Sequence, residues 1–373
     1  MTKTIAFFSG FYLPYLGGIE RYTHNVAEKL VEKGYRVIVV ASQHDRSLKN
    51  EEEVDGIKIY RLPVHKIGRN RYPFPKKNKE YRALLAKIKN EKIDVFIANT
   101  RFQLTALLGV QLAAKEGKKA IVIEHGTTWL TFNNPVLDFF LKYIERSLAR
   151  RVKKYTNRFY GVSKEAADWL LTFGIKAKGV LFNAVDPNDY EKFHSSEKTD
   201  KITLSFSGRL QEFKGVRVLL SAFRELSKEY ENLELIIAGD GPLYDELRHE
   251  YDEKSIHFLG FVSHEEVMKI NDQSDIFVLL SKIEGFSTSM LEAAMMENVI
   301  ITTSLGGSRE LIVDESYGYI IENKKETLLM ALRQILDDKE RMSEMKEKVS
   351  KRVLESFTLD KTCDAFENAF RDE

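Results

Sequence analysis

The sequence has little of what marks secreted, membrane-spanning or zinc-binding proteins. Among its 373 residues there is a single cysteine, Cys363, which excludes an intrachain disulfide and a thiolate zinc cluster and fits a reducing compartment. No run of about 18 apolar residues occurs, so we predict no membrane-spanning helix. The chain enters an apolar strand, Ile5 to Phe8, almost at once, and we therefore expect no signal peptide. These absences predict a cytoplasmic protein.

Charge is abundant but unevenly distributed. Charged residues make up 30% of the chain and hydrophobic residues 43%, as in an ordinary globular protein, and the length predicts two domains. Residues 1–180 contain 33 Lys plus Arg against 17 Asp plus Glu, whereas the remainder contains 24 against 39. A basic half of this kind can face nucleic acid, an anionic membrane or an anionic substrate.

Strands and helices alternate along most of the chain, and one stretch of the second half is the most informative. The apolar run Ile276 to Leu280 has the length of a strand, and Thr288 to Met296 has the pattern of a helix. Glu284 and Glu292 flank the point where ligands bind in doubly wound sheets, with seven residues between them. This spacing fits one sugar nucleotide better than one metal ion. A capped helix with two solvated glutamates remains the alternative.

Other residues with binding chemistry also follow predicted strands or begin predicted helices. Gly17 and Gly18 precede a helix whose free N–H groups favour phosphate, although a plain turn explains the pair equally well. His125 follows a buried strand, where a histidine is placed for ligand contact. Arg209 follows the strand Ile202 to Ser207 and Lys214 opens the next helix, so both cations could balance a diphosphate.

Two elements of the basic half combine cations with aromatic residues. The segment from His65 to Lys92 carries ten Lys or Arg against two Glu, which is usually a solvated surface. In Val136 to Lys154, apolar residues that include Phe139, Tyr143 and Leu148 alternate with cations. That pattern is typical of a helix lying on an anionic membrane, but domain packing and, more remotely, nucleic-acid binding also fit it.

Taken together, these residues resemble glycosyltransferase family 4, and the resemblance covers nearly the whole chain. Its fold is GT-B: two facing Rossmann-like, doubly wound α/β domains with a C-terminal helix crossing back to the first. It implies an acceptor-binding domain at residues 1–185, a nucleotide-sugar domain at 186–357, and a helix at 358–373 that packs on the first domain. The resemblance is carried by Gly17-Gly18, His125, Asn183 to Asp186, Ser207-Gly208-Arg209, Lys214-Gly215, Ala238 to Pro242, Glu284 with Glu292, and Gly306-Gly307 with Glu310.

The resemblance also implies roles for individual residues. Arg209 and Lys214 would hold the diphosphate, Glu284 would contact hydroxyls of the transferred sugar, Glu292 would bind the ribose, and His125 would contact the sugar near its anomeric centre. His125, Glu284, Arg209 and Lys214 are thus the candidate catalytic residues. The candidate donor-binding residues are Gly17, Gly18, Phe261, Val262, Gly285, Phe286, Ser287, Thr288 and Glu292, of which Phe261 and Val262 would line the base.

Two positions depart from the family pattern. Ser287 replaces the usual glycine three residues after the first glutamate, and Ala184 stands where glycine is common. Neither change removes a charged group, so they affect the donor's identity and not the reaction class. No Asp-x-Asp sequence occurs, and we expect no metal and no cofactor.

The resemblance therefore implies a retaining transferase that moves a hexose-type sugar from a nucleotide diphosphate, with UDP favoured over GDP. The acceptor would be a lipid-linked or saccharide molecule of cell-surface polysaccharide or glycolipid synthesis. The basic half adds a peripheral location on the inner face of the cell membrane, and we expect no nucleic-acid partner. A nucleotide-sugar epimerase of the same fold and a non-catalytic sugar-nucleotide-binding subunit are the alternatives.

Overall fold

The computed structural model describes residues 2–15, 17–67, 72–131, 134–195 and 201–371. The chain forms two compact units: unit 1 comprises Met1–Asn183 and Leu359–Glu373, and unit 2 comprises Ala184–Thr358. Their boundaries fall within two residues of those expected from the sequence. The segment from Glu191 to Lys201, which resembles a linker in composition, begins inside a helix, and residues 196–200 lie outside the described residues.

Unit 1 is built on an eight-stranded sheet. Its strand order is β10-β9-β8-β7-β1-β2-β4-β3, and all neighbours are parallel except β3 and β4. A separate antiparallel hairpin joins β5 and β6. The strands are β1 Thr4–Phe8, β2 Arg36–Ser42, β3 Glu51–Val54, β4 Ile57–Leu62, β5 Val64–Ile67, β6 Tyr72–Pro75, β7 Val95–Asn99, β8 Ile121–Glu124, β9 Arg158–Gly161 and β10 Gly179–Val180.

Helices connect most of these parallel strands, because parallel pairing needs a long crossover; β2 and β4 are instead connected through β3. The strands are apolar runs because both faces of the sheet are buried; β1, for example, is buried along its whole length. The helices before the domain boundary are α1 Gly18–Glu32, α2 Lys79–Asn90, α3 Leu104–Lys115, α4 Pro135–Lys153 and α5 Lys164–Trp169.

Sequence periodicity missed the strands with unusual composition. The acidic run Glu51 to Glu53 has the composition of a loop, but it forms the antiparallel edge strand β3, where charged side chains are tolerated. The hairpin β5–β6 lies inside the basic run and includes Pro73 and Pro75. Residues 68–71 of that run lie outside the described residues.

Unit 2 is built on a six-stranded, wholly parallel sheet. Its order is β13-β12-β11-β14-β15-β16. The strands are β11 Ile202–Ser207, β12 Leu233–Ala238, β13 Ile256–Gly260, β14 Ile276–Leu279, β15 Val299–Thr302 and β16 Gly318–Ile320. The helices from α6 onward are α6 Pro187–Phe193, α7 Val216–Leu226, α8 Tyr244–Glu250, α9 His264–Gln273, α10 Thr288–Met295, α11 Ser308–Leu311, α12 Lys325–Leu336, α13 Lys339–Ser356 and α14 Leu359–Arg371.

The last helix, α14, belongs to unit 1 and packs against α1. Phe366 is fully buried, with its ring 6.3 Å from that of Phe7 in β1. Lys33 of α1 donates a hydrogen bond to Asp364 at 2.7 Å on the exposed side. None of the helices in the described ranges has both the length and the apolar content needed to cross a bilayer.

The burial of Phe366 predicts a large contribution of α14 to the stability of unit 1. We expect Phe366→Ala to lower the free energy of unfolding by about 3 to 5 kcal/mol, because it leaves a cavity against β1. Urea denaturation followed by circular dichroism measures this. The matched control is Phe139→Ala at a phenylalanine that is 71% exposed, which should change stability by at most about 0.5 kcal/mol. Equal effects of the two changes would contradict the role of α14.

Candidate functional site

In unit 2 the order of strands reverses beside β11. From β11 the chain builds β12 and β13 on one side, and then returns to place β14 on the other side. The loops that follow β11 and β14 therefore diverge and leave a crevice at the carboxyl ends of these two strands, which is where such sheets bind ligands. Lys214 lies in the first loop and Glu284 in the second.

The structure brings these two predicted residues into contact. Lys214 Nζ donates to Glu284 Oε1 at 2.5 Å, and the Ser281 hydroxyl donates to the same oxygen at 2.8 Å. Both charged side chains are mostly shielded from solvent, at 19% and 17% exposure. Partial burial strengthens such charge-assisted hydrogen bonds.

Two glycines allow the loops around this ion pair to approach closely. Gly215 has φ +74°, and a Cβ there would lie 2.4 Å from the carbonyl oxygen of Leu280. Gly239 has φ +143°, and a Cβ there would lie 1.9 Å from the carbonyl oxygen of Gly208. Only glycine fits both positions, since each combines a left-handed backbone with a backbone contact.

Arg209 is the second residue after β11 and is exposed. Within the ranges that the structure describes, its guanidinium forms no ion pair. Its charge is therefore available to an anion at the same strand end that positions Lys214.

The loop after β14 continues into α10, with Ser287 as its N-cap. The Ser287 hydroxyl accepts from the Met290 amide at 3.3 Å, as expected for a hydroxyl cap. Gly285 is half-buried and Phe286 is buried just before the cap, and Thr288 is the first residue of the helix. The predicted donor-binding residues of this stretch thus lie on one continuous turn.

Glu292 lies inside α10 and is only 3% exposed, so the hypothesis of two solvated glutamates is wrong. His264 Nδ1 lies 3.5 Å from Glu292 Oε1, and His264 Nε2 lies 2.8 Å from Asp189 Oδ2. The imidazole therefore lies between two carboxylates, those of Asp189 and Glu292. Phe261 follows β13 with 70% of its surface exposed, and the adjacent Val262 is half-buried.

In unit 1 the strand order reverses between β1 and β7, and Gly17 and Gly18 lie in the connection from β1 to α1. A Cβ at Gly17 would lie 2.3 Å from Glu20 Oε2, so the Glu20 carboxyl occupies the space beside this residue. A Cβ at Gly18 would meet no atom within 4 Å. The open space at the start of α1 thus lies at the second glycine, whereas the Glu20 carboxyl fills the space beside Gly17.

His125 follows β8 and takes part in a chain of hydrogen bonds with α1. The Asn99 amide donates to Thr23 Oγ1 at 2.7 Å, so Asn99 Oδ1 is the acceptor for His125 Nε2 at 3.0 Å. The proton of the neutral imidazole therefore lies on Nε2. Burial lowers the pKa of His125 to about 3, and the ring is uncharged at neutral pH.

Sequence reasoning missed Glu20, Asn99 and His264. Asn99 ends a buried strand, which is the signal that identified His125. Glu20 stands at the third position of α1, where an acidic residue is typical of a helix start. His264 carries no such signal, because its contacts depend on the packing of α6, α9 and α10.

Burial raises the pKa of the Glu20 carboxyl to about 7, which predicts a pH-dependent stability. As pH rises from about 4.5 to 7, the unfolded chain loses this proton before the folded chain does, so the folded state loses stability. Relative to wild type, Glu20→Gln should gain roughly 3 kcal/mol in free energy of unfolding between pH 4.5 and 8. Urea denaturation across this pH range measures the difference.

The matched control for this experiment is Glu32→Gln, at an exposed glutamate on the same helix. A difference between Glu20→Gln and wild type that does not change with pH would show that the Glu20 carboxyl is not held protonated.

Two family models match consecutive parts of the chain. The model described as Glycosyltransferase Family 4 matches residues 16–189, and the model described as Glycosyl transferases group 1 matches residues 188–352. The first match contains His125 and the glycine pair. The second contains Arg209, Lys214, Glu284 and Glu292.

Individual proteins agree with these matches. A subunit of phosphatidylinositol N-acetylglucosaminyltransferase from Saccharomyces cerevisiae is 26% identical over 90% of this chain and 76% of its own length. A Campylobacter jejuni alpha-1,4-N-acetyl-D-galactosaminyltransferase, named for a diNAcBac-PP-undecaprenol acceptor, is 29% identical over 86% of each chain. The solved structure of Anabaena HepE in complex with UDP-glucose has a TM-score of 0.74 at 17% identity, covering 99% of this chain and 100% of its own. The chain therefore belongs to glycosyltransferase family 4 and has the GT-B fold.

Proposed function

We propose that the protein is a retaining hexosyltransferase that uses a nucleotide diphosphate sugar, UDP in preference to GDP, and a lipid-linked acceptor. One observation carries this proposal. At the switch point of unit 2, Lys214 and Glu284 are in contact and the exposed Arg209 follows β11, so cations and a hydrogen-bonding carboxylate are available at the carboxyl edge of one sheet. Homologues named for phosphatidylinositol and for a PP-undecaprenol acceptor support the lipid-linked class.

The proposed chemistry follows from where charge develops. As the bond between sugar and diphosphate breaks, negative charge grows on the leaving phosphate and positive charge grows at the anomeric centre. Arg209 and Lys214 neutralise the phosphate, and fixed cations in a partly buried site are effective because they need little reorganisation. These two side chains perform the charge balance, and we propose that no metal ion is required.

Glu284, Glu292 and His125 would contact the sugars of the donor. Glu284, released from Lys214 when the diphosphate arrives, accepts hydrogen bonds from sugar hydroxyls, and Glu292 accepts from the ribose. His125 contacts the sugar near its anomeric centre. Because burial lowers the pKa of His125 to about 3, the ring carries no charge that would oppose an oxocarbenium-like transition state.

The test is transfer of radiolabelled sugar from UDP- and GDP-sugars, with and without a membrane lipid extract. Label that enters the lipid fraction only when donor and protein are both present supports the proposal. A new nucleotide sugar formed without acceptor would identify an epimerase instead, and binding without turnover a non-catalytic subunit. Product linkage determined by nuclear magnetic resonance decides retention or inversion.

Loss of either phosphate-facing cation should slow transfer. We expect Arg209→Ala and Lys214→Ala each to raise the barrier by about 3 kcal/mol, which is about 100-fold in kcat. The matched control is Arg217→Ala on α7, whose guanidinium pairs with Glu212 and Glu246 at the surface. If the two site variants retained the kcat of Arg217→Ala, the assignment of the phosphate site would be wrong.

We further infer that the protein works at an anionic membrane surface, and that α4 is its docking element. The second half of this helix is packed into unit 1 through Glu145, Leu148, Ala149 and Val152, so the sequence-based assignment of Leu148 to the lipid-facing side is wrong. The first half is different. Apart from the half-buried Leu141, its apolar side chains are exposed: Val136, Leu137, Phe139, Phe140, Tyr143 and Ile144.

Helix periodicity orders these residues into one surface, which we call the outer face of α4. Phe140 and Tyr143 lie on the side opposite Glu145 and Val152. Exposed cations begin within this stretch and predominate toward the end of α4 and its C-cap: Lys142, Arg146, Arg150, Arg151, Lys153 and Lys154. An apolar end followed by cations matches the layered chemistry of acyl chains and anionic headgroups.

Cosedimentation with vesicles tests the outer face of α4. Replacement of Phe139, Phe140 and Tyr143 by Ser should weaken binding at every salt concentration, because the apolar contribution is lost. Reversal of Arg150, Arg151, Lys153 and Lys154 to Glu should weaken binding to anionic vesicles at least about 100-fold and remove its salt dependence. The matched control reverses four exposed lysines of unit 2: Lys228, Lys254, Lys324 and Lys348. Equal weakening by this control would contradict a specific role of α4.

A further inference from the structure

Three charged side chains lie together in the interior of unit 1, and we call them the arginine cluster. Arg101 comes two residues after β7, Glu124 ends β8, and Glu145 lies on α4; none is more than 1% exposed. The Arg101 guanidinium donates through Nη1 to Glu124 and through Nη2 to Glu145 Oε2, the latter at 2.8 Å. One arginine thus joins a strand of the sheet to α4.

The other oxygen of each carboxylate holds the chain that carries His125. Glu124 Oε1 accepts from the Gly126 amide at 3.0 Å, and Glu145 Oε1 accepts from the Leu130 amide at 2.8 Å. These amides stand near the two ends of the loop 125–130. The arginine cluster therefore fixes this loop at both ends, immediately beside the imidazole.

Aromatic rings also contact the arginine cluster and the loop 125–130. The Arg101 guanidinium lies 3.8 Å from the centroid of the Phe173 ring, a stacking that holds its planar fork in one orientation. Within the loop, Trp129 packs edge-on to Trp169 at 5.3 Å and receives Arg146 of α4 over its ring at 4.9 Å. The loop is thus tied to α4 by an aromatic contact as well as by Glu145.

Stability alone does not account for the arginine cluster. Burying charged groups is costly, and apolar residues of similar volume stabilise a core as well or better. Burial raises the pKa of Glu145 to about 6, which reflects that cost. Apolar residues, however, could not accept hydrogen bonds from the two loop amides, as Glu124 and Glu145 do. Nor could they replace the planar guanidinium of Arg101, which donates to both carboxylates.

We propose that Arg101 is a positioning residue for His125. By bonding Glu124 and Glu145 at once, it makes the placement of the imidazole depend on the register of α4 against β8. The functional consequence rests on the proposed role of His125 in sugar transfer. The placement itself can be measured without turnover.

The experiment compares the His125 ring resonance and the transfer kinetics in the full-length protein. Protein labelled with ¹³C in its histidine rings gives up to eight signals, and loss of one signal in His125→Asn assigns His125. The test variant combines Arg101→Met, Glu124→Gln and Glu145→Gln, which leaves no buried charge without a partner and keeps both loop acceptors. Arg101→Lys is the second variant, because lysine keeps the charge but not the planar fork.

In wild type, we expect the His125 signal to remain that of a neutral ring between pH 8 and 5. In both variants we expect the signal to shift, and the ring to titrate closer to pH 6.5 as water enters the loosened loop. Transfer should show kcat lowered about 100-fold with the donor KM changed less than about threefold, since misplacement acts on the transition state more than on donor binding.

The matched control is Arg158→Met. Arg158 is also buried and donates to the backbone carbonyls of Lys119 and Ala369, but it begins β9 at the opposite end of the strands. We expect this change to lower stability and to leave both the His125 signal and kcat as in wild type.

Every other combination of His125 signal and kcat supports or contradicts the proposal. A folded test variant with the wild-type His125 signal would overturn the proposal, and so would an equal shift in Arg158→Met. A shifted His125 signal with unchanged kcat would support the positioning by Arg101 and refute the role of His125 in transfer.

Discussion

The direction of the strands is the constraint on which both units depend. In each main sheet the strands are parallel, apart from the edge strand β3, so their carboxyl ends gather at one edge. Reversal of strand order, between β11 and β14 in unit 2 and between β1 and β7 in unit 1, opens a crevice at that edge. The positions of the residues with binding chemistry follow from this geometry, because they lie in the loops that leave the carboxyl ends of these strands.

The two crevices use charge in opposite ways. Unit 2 belongs to the acidic half of the chain, yet its switch point presents Arg209 and Lys214, with Glu284 neutralising the lysine. Unit 1 belongs to the basic half, yet burial disfavours charge on the groups around its switch point: the pKa of His125 falls to about 3 and that of Glu20 rises to about 7. Net charge of a domain therefore says little about the electrostatics of its site.

How much the sequence revealed depends on the range of the interactions involved. The parallel strands and the strand-end residues were predictable, because apolar runs and their polar successors are local signals. The contact of Lys214 with Glu284 joins residues 70 positions apart, and that of Arg101 with Glu145 joins residues 44 apart, so neither leaves a local pattern. A glutamate is normally expected to be solvated, and only the packing around α10 shows that Glu292 is buried.

The return of α14 to unit 1 sets an order of assembly during synthesis. Unit 2 is contiguous in sequence, whereas unit 1 is split and receives Phe366 only after all of unit 2 has been synthesised. Until α14 has been synthesised, the apolar surface that Phe366 covers beside Phe7 is exposed to solvent. The second unit can thus reach its native state before the first, which reverses the usual N-terminal-first sequence of events.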